Sequence, residues 1–367
     1  MQNQKKKLLY CIHVDWSWIK QRPHFIAESL NQFYQIDVLC KRVWNAERNN
    51  NPTNINICFP FRFPFERFKI VNWINICIRH IYLRSIIKRY DFLWFTAPTE
   101  DCNFLLSKVD KKVKVVYDCM DDYLEFPINA HKINTVIELE KKLYNRSNLI
   151  ICTSNYLKEK LLKRYGPKRI VVVNNALAIN NNIDKIETIP SNVSPLLDSP
   201  KIKMVYIGTI SEWFDVELCK SIITTFSNVE LFLFGPCESC VESKLNFPGV
   251  NLCGTVEHKY VNTIMDSSDI LIMPFIINEL ILSVNPVKLY EYIKSGKPCV
   301  APRYGESEPF GDYVYLYNDN NDCINIIGSL IFGNRGSKMS KEKCQKYAEQ
   351  NTWEKRVDVI VKELNNI

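Results

Sequence analysis

The sequence predicts an α/β protein with two doubly wound, Rossmann-like domains that face a cleft. Short apolar, strand-like runs alternate with helical stretches, as in parallel sheets covered by helices. These runs form two sets, separated by a polar segment that contains Pro190, Pro195 and Pro200. The 367 residues are enough for two hydrophobic cores at about 150 residues per domain.

The predicted strands are runs rich in β-branched and aromatic residues. The first set lies at 8–14, 35–40, 54–59, 92–97, 113–118, 149–154 and 169–175. The second set lies at 203–209, 230–235, 251–255, 269–275, 298–302 and 313–317. We therefore expect an N-terminal domain over 1–180, a linker over 181–200 and a C-terminal domain over 201–345.

The last residues, 346–367, are expected to form a helix that returns to the N-terminal domain. An apolar stripe in this segment is formed by Trp353, Val357, Ile360 and Leu364. The helical pattern of the C-terminal end is broken near Asn351 and Thr352.

Composition and charge exclude several classes of protein. Only 11 glycines occur and the first is Gly166, so the first half contains neither a glycine-rich dinucleotide fingerprint nor a Walker loop. The net charge of +7 is too small to indicate binding to nucleic acid. Seven basic residues against one acidic residue over 61–90 account for most of that charge.

The lack of a recognisable targeting signal and the apolar setting of the cysteines indicate a reducing compartment. The start of the chain has no small-residue cleavage site, and no apolar run approaches the ~18 residues of a membrane span. Most of the 14 cysteines lie in apolar runs, as small buried side chains do. Cys237 and Cys240 form a lone CxxC, for which a loop is favoured over a zinc site. We expect a cytoplasmic protein.

The basic stretch includes a predicted helix over 70–90. At 100° per residue, one face carries its apolar residues: Ile70, Ile74, Cys77, Ile78 and Ile81. Core packing is the first expectation for Ile74 to Ile81. The polar residues Asn72, Asn75 and Arg79 lie opposite. Cations and aromatic residues around this helix also suggest reversible binding to an anionic membrane, on the inner face of the cell membrane.

The segment ILSVNPVKLYEYIKSGKPCVAP, residues 281–302, contains the clearest site motif. Asn285 suits the N-cap of a helix, Pro286 its first position, and Gly296 its end. The first turn presents free amides near Val287 and Lys288, which form an anion site. Glu291 can reach the same patch and accept from ribose hydroxyls, although a solvated Lys288–Glu291 pair explains the spacing equally well.

Four segments together resemble family-four glycosyltransferases of the GT-B fold, and especially a bacterial subgroup that builds surface polysaccharides such as capsule, O-antigen (lipopolysaccharide) or teichuronic acid. They are NPVKLYEYIKSGKPCV (285–300), WSWIKQRPHFIAESL (16–30), YDCMDDYLEF (117–126) and VYIGTISEWFD (205–215). Their order and spacing cover nearly the whole chain up to Tyr317.

The resemblance implies a donor site on the C-terminal domain. Of the family's two donor-binding glutamates, the second aligns with Glu291 and the first falls on Ser283, with Glu279 four residues earlier as a substitute. Gly208 and Thr209 lie in the implied first strand-loop of this domain, which lacks the family's phosphate-binding Arg and Lys. Lys288 and the helix start are expected to bind the diphosphate instead.

The resemblance implies an acceptor or sugar site on the N-terminal domain. Its candidate ligands are Trp16, Trp18, Arg22, His24 and Asp122. Asp118 and Asp121 are the candidate catalytic carboxylates, which can bind sugar hydroxyls or accept a proton from the acceptor. Core packing of the tryptophans, a capping role for His24 and a structural turn at the aspartates are the alternatives.

Together these features predict a retaining, hexosyltransferase-like enzyme that moves a sugar from a nucleotide-diphosphate sugar to a glycan acceptor on a polyprenyl carrier. No D-x-D triplet occurs, so we expect no metal and no resident cofactor. A nucleotide-sugar epimerase of the same fold is one alternative. A non-catalytic sugar-nucleotide-binding protein is the other, and the missing first glutamate favours it.

Overall fold

A computed structural model describes residues 5–17, 20–40, 54–178, 188–333 and 336–367. The chain divides into two compact units. The first unit comprises the chain up to Asn175 together with Trp353–Ile367, and the second comprises Ala176–Thr352.

The first unit is built on a seven-stranded parallel sheet. Its strands are β1 (Lys7–Cys11), β2 (Gln35–Leu39), β3 (Asn56–Cys58), β4 (Phe92–Phe95), β5 (Lys114–Cys119), β6 (Leu149–Cys152) and β7 (Ile170–Val172). They lie in the order β3-β2-β1-β4-β5-β6-β7. In the centre of the sheet Leu9 pairs with Leu93, and both side chains are buried. The order reverses direction beside β1, so the loops that follow β1 and β4 flank a switch point.

Within the described residues up to Asn175, five α-helices accompany this sheet. They are α1 (Arg22–Leu30), α2 (Lys69–Ile86), α3 (Glu100–Lys108), α4 (Ile133–Arg146) and α5 (Asn155–Tyr165). Two of them begin at hydroxyl caps, since Thr99 accepts from the amide of Cys102 and Ser154 from that of Leu157. Polar caps therefore fix where α3 and α5 start.

The second unit contains a six-stranded parallel sheet. Its strands are β8 (Ile202–Ile207), β9 (Val229–Phe234), β10 (Val250–Gly254), β11 (Ile270–Ile272), β12 (Cys299–Pro302) and β13 (Tyr315–Tyr317). They lie in the order β10-β9-β8-β11-β12-β13. Its helices are α6 (Ser194–Asp198), α7 (Val216–Thr225), α8 (Ser239–Glu242), α9 (Val261–Ser267), α10 (Glu279–Leu282), α11 (Val287–Ser295), α12 (Asn320–Phe332) and α13 (Lys341–Gln350).

The expected fold class is confirmed, because both units are parallel-sheet α/β domains. Every strand predicted from the sequence corresponds to a strand of the structure. Part of the segment expected to be a linker, 179–187, lies outside the described residues, and α6 groups with the second unit.

The C-terminal end forms two helices. Helix α13 packs against α11 and belongs to the second unit, which extends to Thr352 and so passes the expected boundary at 345. Helix α14 (Trp353–Asn365) belongs to the first unit, where it packs against α1. The ring of Trp353 stacks on that of Phe25 at 5.4 Å, and the whole apolar stripe of α14 is buried.

Helix α2 differs from its predicted orientation. Ile81, expected to pack in the core, is 71% exposed, and Ile70 of the same apolar face is 74% exposed, whereas Asn75 is only 3% exposed. The reason is local, because the Asn75 side chain accepts from the amide of Phe63 and donates to its carbonyl. Two hydrogen bonds to the preceding loop therefore set the rotation of this helix.

Candidate functional site

In the second unit, two glycines end neighbouring strands. Gly208 follows β8 with φ +150°, and its amide donates to the carbonyl of Phe234 at 2.7 Å. A Cβ on Gly208 would lie 2.0 Å from Cε of Lys288, and a Cβ on Gly235 would lie 2.2 Å from the carbonyl oxygen of Gly208. Glycine is therefore required at 235, where the clash is with backbone, and favoured at 208 by its positive φ, since the end of the Lys288 side chain could move aside.

Helix α11 begins beside this strand end. Its N-cap is Pro286, one residue later than predicted, and Gly296 ends it in the left-handed conformation with φ +74°, as predicted. Asn285 does not cap the helix, because its Oδ1 accepts from the hydroxyl of Tyr290. The amides of Val287 and Lys288 make no hydrogen bond within the described ranges of the chain. The helix start is therefore free to bind an anion.

The ammonium of Lys288 has aromatic neighbours but no anionic partner. Its Nζ lies 5.6 Å from the ring centroid of Tyr206 and 5.8 Å from that of Phe275. No hydrogen bond or ion pair joins it to any residue that the structure describes. Burial lowers the pKa of Lys288, and the charge of Glu291 opposes that shift. A partly buried cation without a partner is suited to a ligand that brings negative charge.

Glu291 lies one turn further along α11 and is half-buried. Burial raises the pKa of its carboxyl, while His258, Lys288 and Lys294 act to lower it. Its carboxylate makes no hydrogen bond or ion pair, including to Lys288, in the described part of the chain. His258, which follows β10, is a neighbour that the sequence analysis missed, because nothing in its local spacing links it to α11.

A cavity of about 230 Å³ lies at the carboxyl ends of β8, β9 and β10. Its lining includes Ile210, Gly235, Cys237, Leu252 and Thr255. The walls combine apolar side chains and backbone with the polar residues Glu242 and Thr255, so a planar ring such as a nucleobase would find both apolar contacts and hydrogen-bond partners. Because Gly235 contacts Gly208, this cavity adjoins the start of α11.

The remaining predicted donor residues differ in their exposure and in their hydrogen bonds. Thr209 is exposed beside Gly208, and its carbonyl accepts from the hydroxyl of Tyr206. Ser283 is fully buried, and its hydroxyl donates to the carbonyl of Leu280 at the end of α10. Glu279 is exposed at the first position of α10. The hydroxyl of Ser283 is thus used within the protein, whereas Glu279 remains accessible.

In the first unit, Arg22 and Asp118 form a buried ion pair. Arg22 Nη2 lies 2.9 Å from Asp118 Oδ1, and its Nη1 donates to the carbonyl of Val173. The guanidinium also lies 5.9 Å from the ring centroid of Trp353. These contacts join α1, the ends of β5 and β7, and α14. Arg22 is therefore a structural cross-link rather than an open phosphate ligand in this structure.

Asp122 is buried within a second network. It forms ion pairs with Arg164 at 2.5 Å and Lys160 at 2.8 Å, which hold the pKa of its carboxyl low despite burial. Arg164 also approaches Glu140, whose carboxylate accepts from the hydroxyls of Tyr117 and Tyr165. The predicted sugar ligand Asp122 thus fixes the loop after β5 to α5.

Asp121 is the member of this acidic trio whose carboxylate is available. It is half-buried between the two networks, and its carboxylate has no partner among the residues described. Burial raises its pKa to about 6, helped by Asp118 and Asp122 and opposed by Arg22. A carboxyl that titrates near neutral pH suits proton transfer or binding of a hydroxyl.

The aromatic candidates of the β1–α1 loop lie in the interior. Trp16 is buried, and its carbonyl lies 3.1 Å from Nε2 of the buried His24. His24 Nδ1 also accepts from the amide of Gln21, and burial lowers its pKa. These contacts favour the packing and capping alternatives over sugar stacking. Trp18 lies outside the described residues.

The two units define a protein of the GT-B fold. A crystal structure of Alr3699/HepE from Anabaena in complex with UDP-glucose matches with a TM-score of 0.70 at 15% identity, covering 99% of this chain and 100% of that chain. Sucrose-phosphate synthase from Thermosynechococcus elongatus matches with a TM-score of 0.73 at 11% identity, covering 98% and 99%. At such identities these structures show the fold alone.

Sequence comparisons support a glycosyltransferase. The profile of Glycosyltransferase Family 4 matches residues 24–180. TuaH of Bacillus subtilis (strain 168), a protein assigned as a glycosyltransferase of teichuronic acid biosynthesis, is 26% identical over 278 residues. That match covers 71% of this chain and 68% of TuaH.

Neither a membrane-spanning helix nor a metal-binding cluster is found among the described residues. No helix among them is long and apolar enough to cross a membrane. No group of three or more His, Cys, Asp or Glu side chains among them is placed to hold a metal ion.

Proposed function

We propose that the protein is a retaining glycosyltransferase that takes a sugar from a nucleotide-diphosphate sugar. The observation that supports this most is the start of α11, where two free amides and the unpaired ammonium of Lys288 lie beside Glu291. Two phosphates carry negative charge and a ribose carries two hydroxyls. The arrangement thus offers a complement to each part of a nucleoside diphosphate.

In this proposal each group of the second unit has one role. Lys288 and the amides of Val287 and Lys288 bind the diphosphate and stabilise it as the leaving group. Glu291 accepts from the ribose hydroxyls, and the cavity beside Gly235 holds the base. UDP-sugars are the first donors to test, because HepE has been crystallised with UDP-glucose. The transfer is expected to be independent of added metal ions.

The first unit supplies the acceptor site in this proposal. Asp121 binds the attacking hydroxyl or accepts its proton, since its carboxylate has no partner within the described part of the chain. The assignment of TuaH to teichuronic acid biosynthesis supports a surface-polysaccharide glycan as acceptor. We take that glycan to be carried on a polyprenyl lipid.

An exposed aromatic and basic surface supports binding to an anionic membrane. Phe59, Phe61, Phe63, Phe65 and Phe68 are all exposed in one loop, as are Ile70 and Trp73 in the first turns of α2. Arg84, Lys88 and Arg89 are exposed at the other end of α2. Aromatic rings can enter the lipid interface while cations are attracted to anionic head groups.

Vesicle flotation tests the membrane proposal. We expect recovery with vesicles that contain anionic lipid, weaker recovery with neutral vesicles, and loss of binding as salt concentration rises. Replacing Arg84, Lys88 and Arg89 with Gln should reduce recovery severalfold, whereas Lys220→Gln, an exposed change on α7, should not. Equal recovery with neutral and anionic vesicles would contradict it.

The release of nucleotide diphosphate tests the transfer itself. UDP-sugars are incubated with the protein, with and without a lipid extract of bacterial membranes. Release that depends on the extract, with the sugar recovered in the lipid fraction in its original anomeric configuration, supports the proposal. Release without acceptor would indicate the epimerase alternative, and binding without any release would indicate a non-catalytic sugar-nucleotide-binding protein.

A further inference from the structure

A second cavity lies in the first unit, at the carboxyl ends of β1, β2 and β4. Its volume is about 170 Å³, and none of the candidate acceptor residues from the sequence analysis lines it. Its lining includes the side chains His13, Phe61, Arg62, Arg79, Asp101 and Tyr123. His13 and Phe61 are exposed, so the cavity opens to solvent between the loop after β1 and the loop before α2. It is large enough for one sugar ring.

The polar wall of this cavity is an ion pair with spare hydrogen-bonding capacity. Nε of Arg79, on α2, lies 2.7 Å from Oδ1 of Asp101, on α3. The N–H is not aligned with the oxygen, so both buried atoms lack a hydrogen bond. Buried polar atoms of native proteins are nearly always satisfied, by protein or by bound molecules. These two atoms are themselves inaccessible, but the side chains of Arg79 and Asp101 are 19% and 21% exposed, so their other N–H groups and oxygen can bond to a ligand with hydroxyl groups.

The opposite wall is aromatic and fixed in place. The exposed ring of Phe61 meets that of Phe63 edge to face at 5.0 Å. The buried Asn75 holds the backbone of Phe63 through two hydrogen bonds. Tyr123 contacts His13 edge to face at 6.1 Å, and Nδ1 of His13 lies 3.0 Å from the hydroxyl of Thr96. The loop is therefore organised before any ligand binds.

The charges around the cavity cancel. Arg79 faces Asp101, and Arg62 lies 3.6 Å from Glu66, which also lines the cavity. A phosphate would have to compete with two carboxylates for the two guanidinium groups. A neutral polyhydroxyl ring meets no such penalty, because its hydroxyls can both donate to carboxylates and accept from guanidinium groups.

We propose that this cavity binds a neutral sugar ring of the acceptor glycan. This inference rests on the transferase activity proposed above and locates its acceptor site. The loop that carries Phe61 is also part of the surface proposed to contact the membrane. An acceptor held on a lipid carrier would therefore reach the cavity directly from the lipid surface.

Variants of the polar wall test this assignment. Asp101→Asn and Arg79→Gln should each raise, at least tenfold, the amount of lipid extract needed for half-maximal nucleotide release. Their affinity for UDP should stay within twofold of the parent protein, because the changes lie in the other unit. Glu100→Gln, the exposed neighbour of Asp101 on α3, is the matched control and should change neither value. An unchanged acceptor requirement in both variants would overturn the inference.

A binding experiment separates failure of this inference from failure of the transferase proposal. Saturation-transfer NMR with methyl glycosides of glucose, galactose, N-acetylglucosamine and N-acetylgalactosamine requires no turnover. We expect a signal from at least one glycoside with the parent protein and with Glu100→Gln, and its loss in Asp101→Asn. If no glycoside binds, or if binding survives in Asp101→Asn, the cavity is not a sugar site, whatever the nucleotide-release assay shows.

Discussion

Charged side chains near the strand ends have different surroundings in the two units. In the first unit Arg22 pairs with Asp118, and Asp122 pairs with Arg164 and Lys160. In the second unit Lys288 and Glu291 are only three residues apart, yet the structure gives neither of them a protein partner. A charged residue after a parallel strand is therefore not by itself evidence of a ligand site. The presence or absence of a protein partner distinguishes a structural role from a binding role.

This comparison makes different predictions for stability and for binding. Removing one member of a buried pair leaves the other charge uncompensated, which is costly to the fold. Removing an unpaired charge at a ligand site leaves nothing uncompensated, so the loss falls on binding instead. Urea unfolding and nucleotide binding should be measured on the same variants. Substitution of a paired residue should lower stability, whereas substitution of an unpaired residue should weaken binding.

The largest effect is expected for Arg22→Met. Because Asp118 is fully buried, losing its partner should lower the free energy of unfolding of the first unit by about 3–5 kcal/mol. Urea unfolding followed by tryptophan fluorescence measures this change. Arg169→Met, which breaks the exposed pair with Glu363, should cost less than about 1 kcal/mol. Equal losses in the two variants would show that the buried pair is not a structural cross-link.

An intermediate effect is expected for Glu291→Gln. The change turns one acceptor into a donor and removes charge-assisted bonds to the ribose, so UDP binding should weaken by about 1.5–3 kcal/mol. Calorimetric titration measures the loss, and the urea midpoint should not fall. If the affinity for UDP is unchanged, Glu291 is a solvated helix residue.

A smaller effect with a distinctive pH dependence is expected for Asp121→Asn. With a pKa of about 6 in the folded protein, against ~3.9 unfolded, the carboxyl favours the folded state below pH 4. That contribution is lost as the pH rises through 6. At pH 7.5 the variant should therefore be the more stable protein, by on the order of 1–2 kcal/mol after allowing for partial solvent exposure.

The rate of sugar transfer should depend on whether the carboxyl of Asp121 is protonated. The rate of the parent protein should rise with a midpoint near pH 6, as Asp121 loses its proton. The rate of Asp121→Asn should be low and independent of pH over that range. A variant that keeps both the rate and the pH profile would exclude Asp121 from the chemistry.

The strands and the end of α11 could be predicted from the sequence, because both depend mainly on residues close together in the chain. Apolar runs identified the strands, and Gly296 identified the end of α11. The position of Lys288 and Glu291 one turn apart on α11 could be predicted from their spacing in the sequence. The start of α11 was misplaced by one residue, because the side chain of Asn285 accepts from the hydroxyl of Tyr290, five residues further along, instead of capping.

Contacts between residues far apart in sequence could not be predicted. Asp118, Asp121 and Asp122 are equivalent in the sequence. Asp118 pairs with Arg22, 96 residues away, and Asp122 pairs with Arg164, 42 residues away, and with Lys160. Ile70 and Ile81 follow helical periodicity but are exposed, because Asn75 is buried by its bonds to the loop of Phe63. Periodicity gives the faces of a helix, whereas a specific hydrogen bond decided which face is buried.

The affinity of Lys288→Met for UDP is the most direct test of the account. We expect the dissociation constant from calorimetric titration to rise about 10–100-fold, since charge-assisted bonds to the diphosphate are lost. The urea midpoint should not fall, because Lys288 has no ion-pair partner among the described residues that its loss would leave uncompensated. Lys294→Met, another cation of α11 close to Glu291, should change the dissociation constant less than threefold. Unchanged UDP affinity in Lys288→Met, or an equal loss in both variants, would contradict the claim that the start of α11 binds the donor diphosphate.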